Sequence, residues 1–132
     1  ARQMEQVIIN IANNAVFAMR EALGNGEHVG VYRKGELTVG SRFHTDKGCV
    51  EIFITDTGVG ISKNDLGKIF DPFFTTRKDG KGTGLGLSIS YGIVKMHDGS
   101  IEVESEIGKG TTFRIFLPLK AKKELEMCVV KI

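Results

Sequence analysis

The sequence predicts a two-layer α/β sandwich: one mixed, mostly antiparallel sheet with helices on one face. Three observations lead there. Residues 3–23 carry a helical apolar pattern. Strand-length runs come in pairs joined by glycine-bearing turns, and a second helical pattern at 84–97 separates the pairs. Helices and antiparallel hairpins in this order close around one core as two layers, and 132 residues make one domain of ordinary size.

Each element has its own signal. In residues 3–23, Met4, Ile8, Ile11, Ala12, Ala15, Met19 and Ala22 recur at the 3.6-residue period. Gly24 is the expected stop, with Asn25 and Gly26 continuing the turn. Within 27–35, Val29–Tyr32 has the composition of a short strand. Residues 36–44 and 49–55 read as a hairpin across Thr45-Asp46-Lys47-Gly48. In its second strand Val50, Ile52 and Ile54 alternate with Glu51, Phe53 and Thr55. Ser62 is placed to cap a short helix over 63–70, with Asp65 at the capping-box position. Residues 71–83 read as a loop, because Pro72 blocks helix continuation and charges follow. Over 84–97, Leu85, Ile89, Ile93 and Met96 form one stripe, and Gly99 is the stop. Residues 100–105 and 111–118 form a second hairpin around Gly108-Lys109-Gly110. The domain proper is 1–118; residues 119–132 begin charged, end on Met127-Cys128-Val129-Val130, and form either a tail or an added edge strand.

Composition excludes several classes. Hydrophobic residues are 41% and charged residues 26%, so neither disorder nor collagen fits, and no apolar run approaches the ~18 residues of a membrane span. Residues 1–20 carry amides and charges throughout, unlike a secretory signal. Net charge is 18 − 16 = +2, too weak for a dominant nucleic-acid-binding face. Cys49 and Cys128 are too few for a disulfide scaffold and read as reduced thiols in a cytoplasmic protein. Glycine stands out: 17 of 132 residues against a typical ~7%. Gly80, Gly82, Gly84 and Gly86 alternate within seven residues, and Gly58 and Gly60 form another pair.

Four clusters can carry chemistry. At ~100° per residue, Gln6, Asn10, Asn13, Asn14, Phe17 and Glu21 share one face of the first helix. Asparagine is a mediocre helix former, so three within five residues suit a binding face as readily as a solvated one. Asp56-Thr57-Gly58-Val59-Gly60 ends an apolar strand, which allows either a rigidly aimed carboxylate or an ordinary turn. Gly80-Lys81-Gly82-Thr83-Gly84-Leu85-Gly86-Leu87 leads into a helix, where free N–H groups favour a phosphate, with Arg77, Lys78 and Lys81 adding positive charge. It is neither a P-loop nor the dinucleotide fingerprint of a βαβ unit. Phe70-Asp71-Pro72-Phe73-Phe74 places three aromatics in a loop, an anchor for that loop or for a hinged lid. No serine–histidine–aspartate order, zinc spacing or catalytic cysteine context is present, and His28, His44 and His97 are isolated.

In this order the clusters resemble the boxes of the catalytic ATP-binding domain of bacterial sensor histidine kinases, within the gyrase/chaperone/histidine-kinase/mismatch-repair (GHKL) ATPase superfamily. Gln6–Ala15 resembles its N box, Asp56–Ile61 the G1 box, Ile69–Phe74 the F box and Gly82–Leu87 the G2 box. Gly108-Lys109-Gly110-Thr111-Thr112-Phe113, ending in Leu117-Pro118, resembles the closing hairpin; the likeness spans about residues 3–118.

The resemblance implies a Bergerat-type ATP-binding fold with ATP and Mg2+ as cofactors. Asn14 is then the magnesium ligand, with Asn10 beside it as the second catalytic asparagine. Asp56 accepts from the adenine amino group, and Gly58 and Gly60 flank the base. The stretch from about Gly60 to Gly84 is the lid, and Gly82, Gly84 and Gly86 offer N–H groups to the phosphates. Phe70, Thr83, Leu85 and Leu87 join them around the nucleotide, and Arg77, Lys78 or Lys81 meets the γ-phosphate. The sequence departs from the family at Phe17, where many members carry a lysine or arginine, and residues 24–35 are longer than usual. The family's strand before the N box is missing here, and no histidine stands in a phosphoacceptor context. The implied function is therefore an excised donor domain, monomeric and cytoplasmic, of a parent that is either free or membrane-anchored. Its partners are the phosphoacceptor helix pair of that parent and, downstream, a response regulator, with no nucleic acid and no membrane contact. The alternatives are a related protein-serine kinase or ATPase of the superfamily, or a nucleotide-sensing module without catalysis.

Overall fold

The computed structural model describes residues 2–23, 35–75 and 83–119. The described elements are α1 (Arg2–Leu23), β1 (Leu37–His44), β2 (Cys49–Asp56), α2 (Lys63–Leu66), α3 (Gly86–Met96), β3 (Ser100–Glu106) and β4 (Gly110–Pro118). The strands form an open sheet in the order β1-β2-β4-β3, and every pairing among them is antiparallel. Both hairpins fall where the period-two runs and their turns put them.

Register makes the core. Ile54 faces Phe113 and Ile52 faces Ile115 across β2 and β4, while Val103 and Ile101 meet the same two residues from β3. That places apolar rows across one face of three strands. Val7 and Ile11 of α1, Val94 of α3 and Ile69 close over them, all buried. Each such side chain contributes about 1.5–3 kcal/mol on burial. α1 and α3 thus lie on one face of the sheet, side by side. Cys49 is a buried free thiol; Cys128, Gly24, Asn25, Gly26 and Val29–Tyr32 lie outside the described residues, as does 120–132.

Four local expectations shift. On α1 the buried line is Val7, Ile11 and Ala15, whereas Ala22 is exposed. Ile9, Val16 and Leu23 extend the apolar arc around the helix, and the sheet takes the edge of that arc nearest the amide face. On α3, Ser90 and Val94 are buried while Ile89 and Met96 are 48% and 71% exposed. That helix is apolar nearly all round, so periodicity does not fix its rotation; Ser90, bonded to Asn10 on α1, turns it inward. The Ser62 cap forms, its Oγ accepting from Asp65 N–H at 3.2 Å, yet helix continues only to Leu66 before turns carry the chain to Phe70. At the end of α3 the left-handed residue is Asp98 (φ 57), one before the predicted Gly99. The Gly99 N–H then closes the last turn on Val94 O at 2.9 Å.

Candidate functional site

A cavity of about 430 Å³ lies between α1, the loop after β2 and the start of α3. That volume falls within the range of small-molecule sites. α1 contributes Asn10, Asn13 and Asn14, which its helical period sets on one side, next to its buried line. Gly60 and Ile61 form one end; Thr83, Gly84, Gly86 and Leu87 form the other.

The first end is built on Asp56, the last residue of β2, 5% exposed. Its Oδ1 accepts from Gly58 N–H at 2.8 Å. Burial pushes its carboxyl above the ordinary carboxylate value, and the N–H groups of Gly58 and Thr111 pull the other way without cancelling the shift. Asp56 stands one layer behind the wall; Thr111, its register partner on β4, is in the wall. Gly58 is also behind the wall, and its requirement for glycine comes from α1: a Cβ there would lie 2.6 Å from Ala18 Cβ. Val59 donates to Ala18 O at 3.1 Å and accepts from Gly108 N–H at 2.9 Å, which clamps the loop between α1 and the β3–β4 turn. Gly60 has φ +80, and any Cβ would strike the Glu106 carbonyl oxygen. Ile61 N–H donates to Ser105 Oγ at 2.7 Å.

The second end is built on α3. Its cap residue, Leu85, makes no side-chain cap bond, so among the described residues the first-turn N–H groups have neither an intrahelical acceptor nor a capping oxygen. Together with the helix dipole this favours an anion. Asn10 Nδ2 reaches Gly86 O and Ser90 Oγ, each at 3.2 Å, and Asn10 Oδ1 accepts from Gln6 at 3.0 Å. Asn10 therefore ties α1 to α3, whereas the Asn14 carboxamide has no partner among the described residues and lines the cavity. Gly84 has φ +70 with Phe73 packed against its α-carbon; Phe73 N–H donates to Gly84 O at 2.8 Å. Phe73 itself sits at φ 69, rare for an aromatic, and is 73% exposed.

Seven of the predicted residues therefore meet in one cavity: Asn10, Asn14, Gly60, Thr83, Gly84, Gly86 and Leu87. Phe70 does not join them; its ring packs on Tyr91 at 5.3 Å and edge-on to Phe113 at 6.5 Å, and Phe74 lines the cavity instead. Leu85 caps the helix outside the wall. Arg77, Lys78, Lys81 and Gly82 lie outside the described residues. Thr111 and Ser105 went unnoticed in the sequence, since small polar residues in strands carry no signal of their own. Among the described residues no group of three or more histidine, cysteine or acidic side chains could hold a metal. The Asn14 oxygen is a hard, unengaged donor facing the cavity, which suits a Mg2+ that keeps most of its ligands from water and phosphate. No described helix is long and apolar enough to cross a membrane.

Residues 1–121 match the family described as histidine kinase-, DNA gyrase B- and HSP90-like ATPase. The chain is 45% identical over 121 residues to the sensor kinase CckA of Brucella abortus, covering 88% of this chain and 12% of that protein. It is 39% identical over 122 residues to sporulation kinase E of Bacillus subtilis, covering 92% and 14%. Among solved structures, full-length ShkA in complex with AMPPNP superposes with a TM-score of 0.70 at 27% identity, over 88% of this chain and 21% of that one. The nucleotide-free catalytic domain of the histidine kinase ThkA gives 0.68 at 30% identity, over 89% and 66%. The chain thus spans about an eighth of the length of these two curated relatives.

Proposed function

The chain belongs to the histidine kinase-, DNA gyrase B- and HSP90-like ATPase family, and from that premise we propose that it is the ATP-binding catalytic domain of a sensor histidine kinase. The observation that carries the reading is the polarity of the cavity. A buried carboxylate stands one layer behind one end and a helix N-terminus without a side-chain cap at the other, with a carboxamide between them that has no partner among the described residues. Adenine, triphosphate and Mg2+ match these three groups in order.

In this reading Asp56 orients the base by accepting from its amino group, while the clamped loop Gly58–Ile61 holds the base edge. The first-turn N–H groups of α3 bind phosphate oxygens, and Asn14 offers its oxygen to the metal. Bound Mg2+ supplies charge neutralisation on the phosphates. Asn10 holds α1 and α3 at a fixed spacing and so sets the distance between metal ligand and phosphate donors. The γ-phosphoryl group passes to an imidazole on a separate helix pair, and a response regulator receives it afterwards. One of the lid cations Arg77, Lys78 or Lys81 meets the γ-phosphate. Hydrolysis is slow, because Asn10 stands four residues before the metal asparagine, where the superfamily's hydrolases carry a glutamate. A carboxamide is no general base at pH 7, a loss of about 10²–10⁴-fold in rate.

The test is labelled γ-phosphate, followed as release and as label retained on protein, with and without the parent's helix-pair domain. Binding without rapid release, and transfer only when that domain is added, is the expected outcome. Brisk release by the chain alone would make it a hydrolase; stable label on His28, His44 or His97 would place the acceptor inside it.

A further inference from the structure

Ser90 is a fully buried hydroxyl on α3, a helix otherwise apolar around most of its circumference. Its Oγ–H donates to Gly86 O at 2.8 Å. Asn10 Nδ2 comes from α1 to the same carbonyl at 3.2 Å and to Ser90 Oγ at 3.2 Å. A carbonyl only accepts, so the amide that meets it must present its nitrogen. Asn10 Oδ1 then faces Gln6, whose Nε2 donates at 3.0 Å. Each proton in this cluster has one consistent place, and Ser90 both donates and accepts. Two side-chain donors from different helices therefore converge on one carbonyl, Gly86 O, in the first turn of α3.

That carbonyl shares its peptide unit with the Leu87 N–H. The unit is planar and trans, so its N–H points opposite to its C=O. Gly86 and Leu87 both line the cavity, and the Leu87 N–H is a first-turn donor without an acceptor inside the helix. Glycine at position 86 gives this peptide no side chain of its own to restrain it. Resting on the ATP-binding reading, we propose that Ser90 is a positioning residue for the phosphates: its hydroxyl, with the Asn10 amide, anchors Gly86 O and so aims the Leu87 N–H at a phosphate oxygen. The same two donors polarise the peptide, which makes that N–H a stronger partner for an anion. Ser90 touches no phosphate itself; it acts through the backbone. A serine bond back to the carbonyl four residues earlier is common in helices. What the geometry adds is the second donor, from α1, on the same oxygen.

The experiment compares the affinities of ATP and of adenosine, which keeps base and ribose but carries no phosphate. Wild type is expected to bind ATP the more tightly. Ser90→Ala should weaken ATP about three- to tenfold, the worth of one hydrogen bond, and leave adenosine within about twofold. The loss should be the same with Mg2+ and with chelator, since the metal ligand is untouched. Ser90→Thr, which keeps the hydroxyl, should bind ATP as wild type does. In the nucleotide-free chain the amide resonance of Leu87 should shift in Ser90→Ala and move less in Ser90→Thr, a signature that needs no ligand. Equal losses for ATP and adenosine, or an unmoved Leu87 resonance beside a lowered melting temperature, would reduce Ser90 to a structural role. Unchanged ATP affinity in Ser90→Ala, or a Ser90→Thr variant as weak as Ser90→Ala, would equally overturn the proposal, as would equal affinity of the wild type for ATP and adenosine. A wild type that binds neither would instead refute the ATP-binding reading.

Discussion

The two ends of the cavity are made differently. At the base end the groups that build the loop are paired within the protein: Asp56 with Gly58, Val59 with both Ala18 and Gly108, Ile61 with Ser105, and Ser105 with Thr111. At the phosphate end, among the described residues, the helix has no side-chain cap, Asn14 has no partner and Phe73 is held in a rare conformation. The lesson is a division of labour. A base edge is read by a few fixed atoms, so its frame is complete before the ligand arrives. A triphosphate with its metal needs many donors, so that end leaves its donors open and the ligand completes it.

The strongest test of this contrast sets one glycine from each end against the other. Gly60→Ala forces a left-handed alanine whose Cβ meets the Glu106 carbonyl, at a cost of about 3 kcal/mol or more. The melting temperature should fall on the order of 10 °C. Gly86→Ala places a Cβ 3.8 Å from Asn10 Cγ, an ordinary contact in a helix, and should leave the melting temperature nearly unchanged. Its effect belongs to the ligand: the new methyl lies in the cavity wall and should weaken Mg-ATP several-fold by calorimetry. Equal melting temperatures for the two variants would erase the distinction between a finished end and an open one.

Next in size is the carboxylate. Asp56→Asn keeps an oxygen for Gly58 N–H but turns an amino group toward the base. ATP affinity should drop about 10- to 100-fold and the preference over GTP should narrow. Equal affinity of the wild type for ATP and GTP would remove Asp56 from base recognition altogether.

The two asparagines of α1 sharpen the comparison further, because one is engaged and the other is not. Asn10→Ala breaks the links to Gly86 O and Ser90 Oγ and should cost about 1–2 kcal/mol of stability, read as a melting shift of a few degrees. Asn14→Ala removes nothing the described protein uses, so stability should change by no more than about 0.5 kcal/mol. What it should lose is the Mg2+-dependent part of ATP affinity, measured with and without chelator. A large melting shift for Asn14→Ala with unaltered Mg-ATP binding would make its role structural.

The sequence showed these two ends unequally. Strands were clear because alternation has one solution per face, as Ile52 and Ile54 against Glu51 and Phe53 illustrate. Helix rotation was not. α1 carries one broad apolar arc and α3 is apolar around most of its circumference, so which line meets the sheet depends on packing and on the Asn10–Ser90 bond. Glycine and asparagine spacing revealed most of the cavity wall, since both residue types are costly where nothing requires them. Ser105 was invisible because it sits between Glu104 and Glu106 in a strand that reads as alternating polar residues. Only the register of β3 on β4 brings it to Thr111. Phe70 was misplaced for a related reason: an aromatic run shows that a loop is anchored, not which ring does the anchoring.

The smallest expected effect is one of pH, and it runs in opposite directions for the empty and the loaded site. Burial raises the Asp56 carboxyl above its unfolded value of 3.8. The folded chain therefore holds this proton more tightly than the unfolded chain does. Below the unfolded value both states are protonated and Asp56 costs nothing. As pH rises past it the unfolded chain ionises first, and stability falls until the folded carboxyl ionises too. Asp56→Asn removes that penalty, so its melting temperature relative to wild type should rise from about pH 4 toward neutrality and then level off. Nucleotide binding has the reverse sign, because an amino donor stabilises the ionised carboxylate. ATP affinity should therefore grow across the same window while purine riboside triphosphate, with no amino group, stays comparatively flat. Parallel pH profiles for the two nucleotides would show that the carboxylate does not meet the base amino group, and the base end would then be a scaffold rather than a reader.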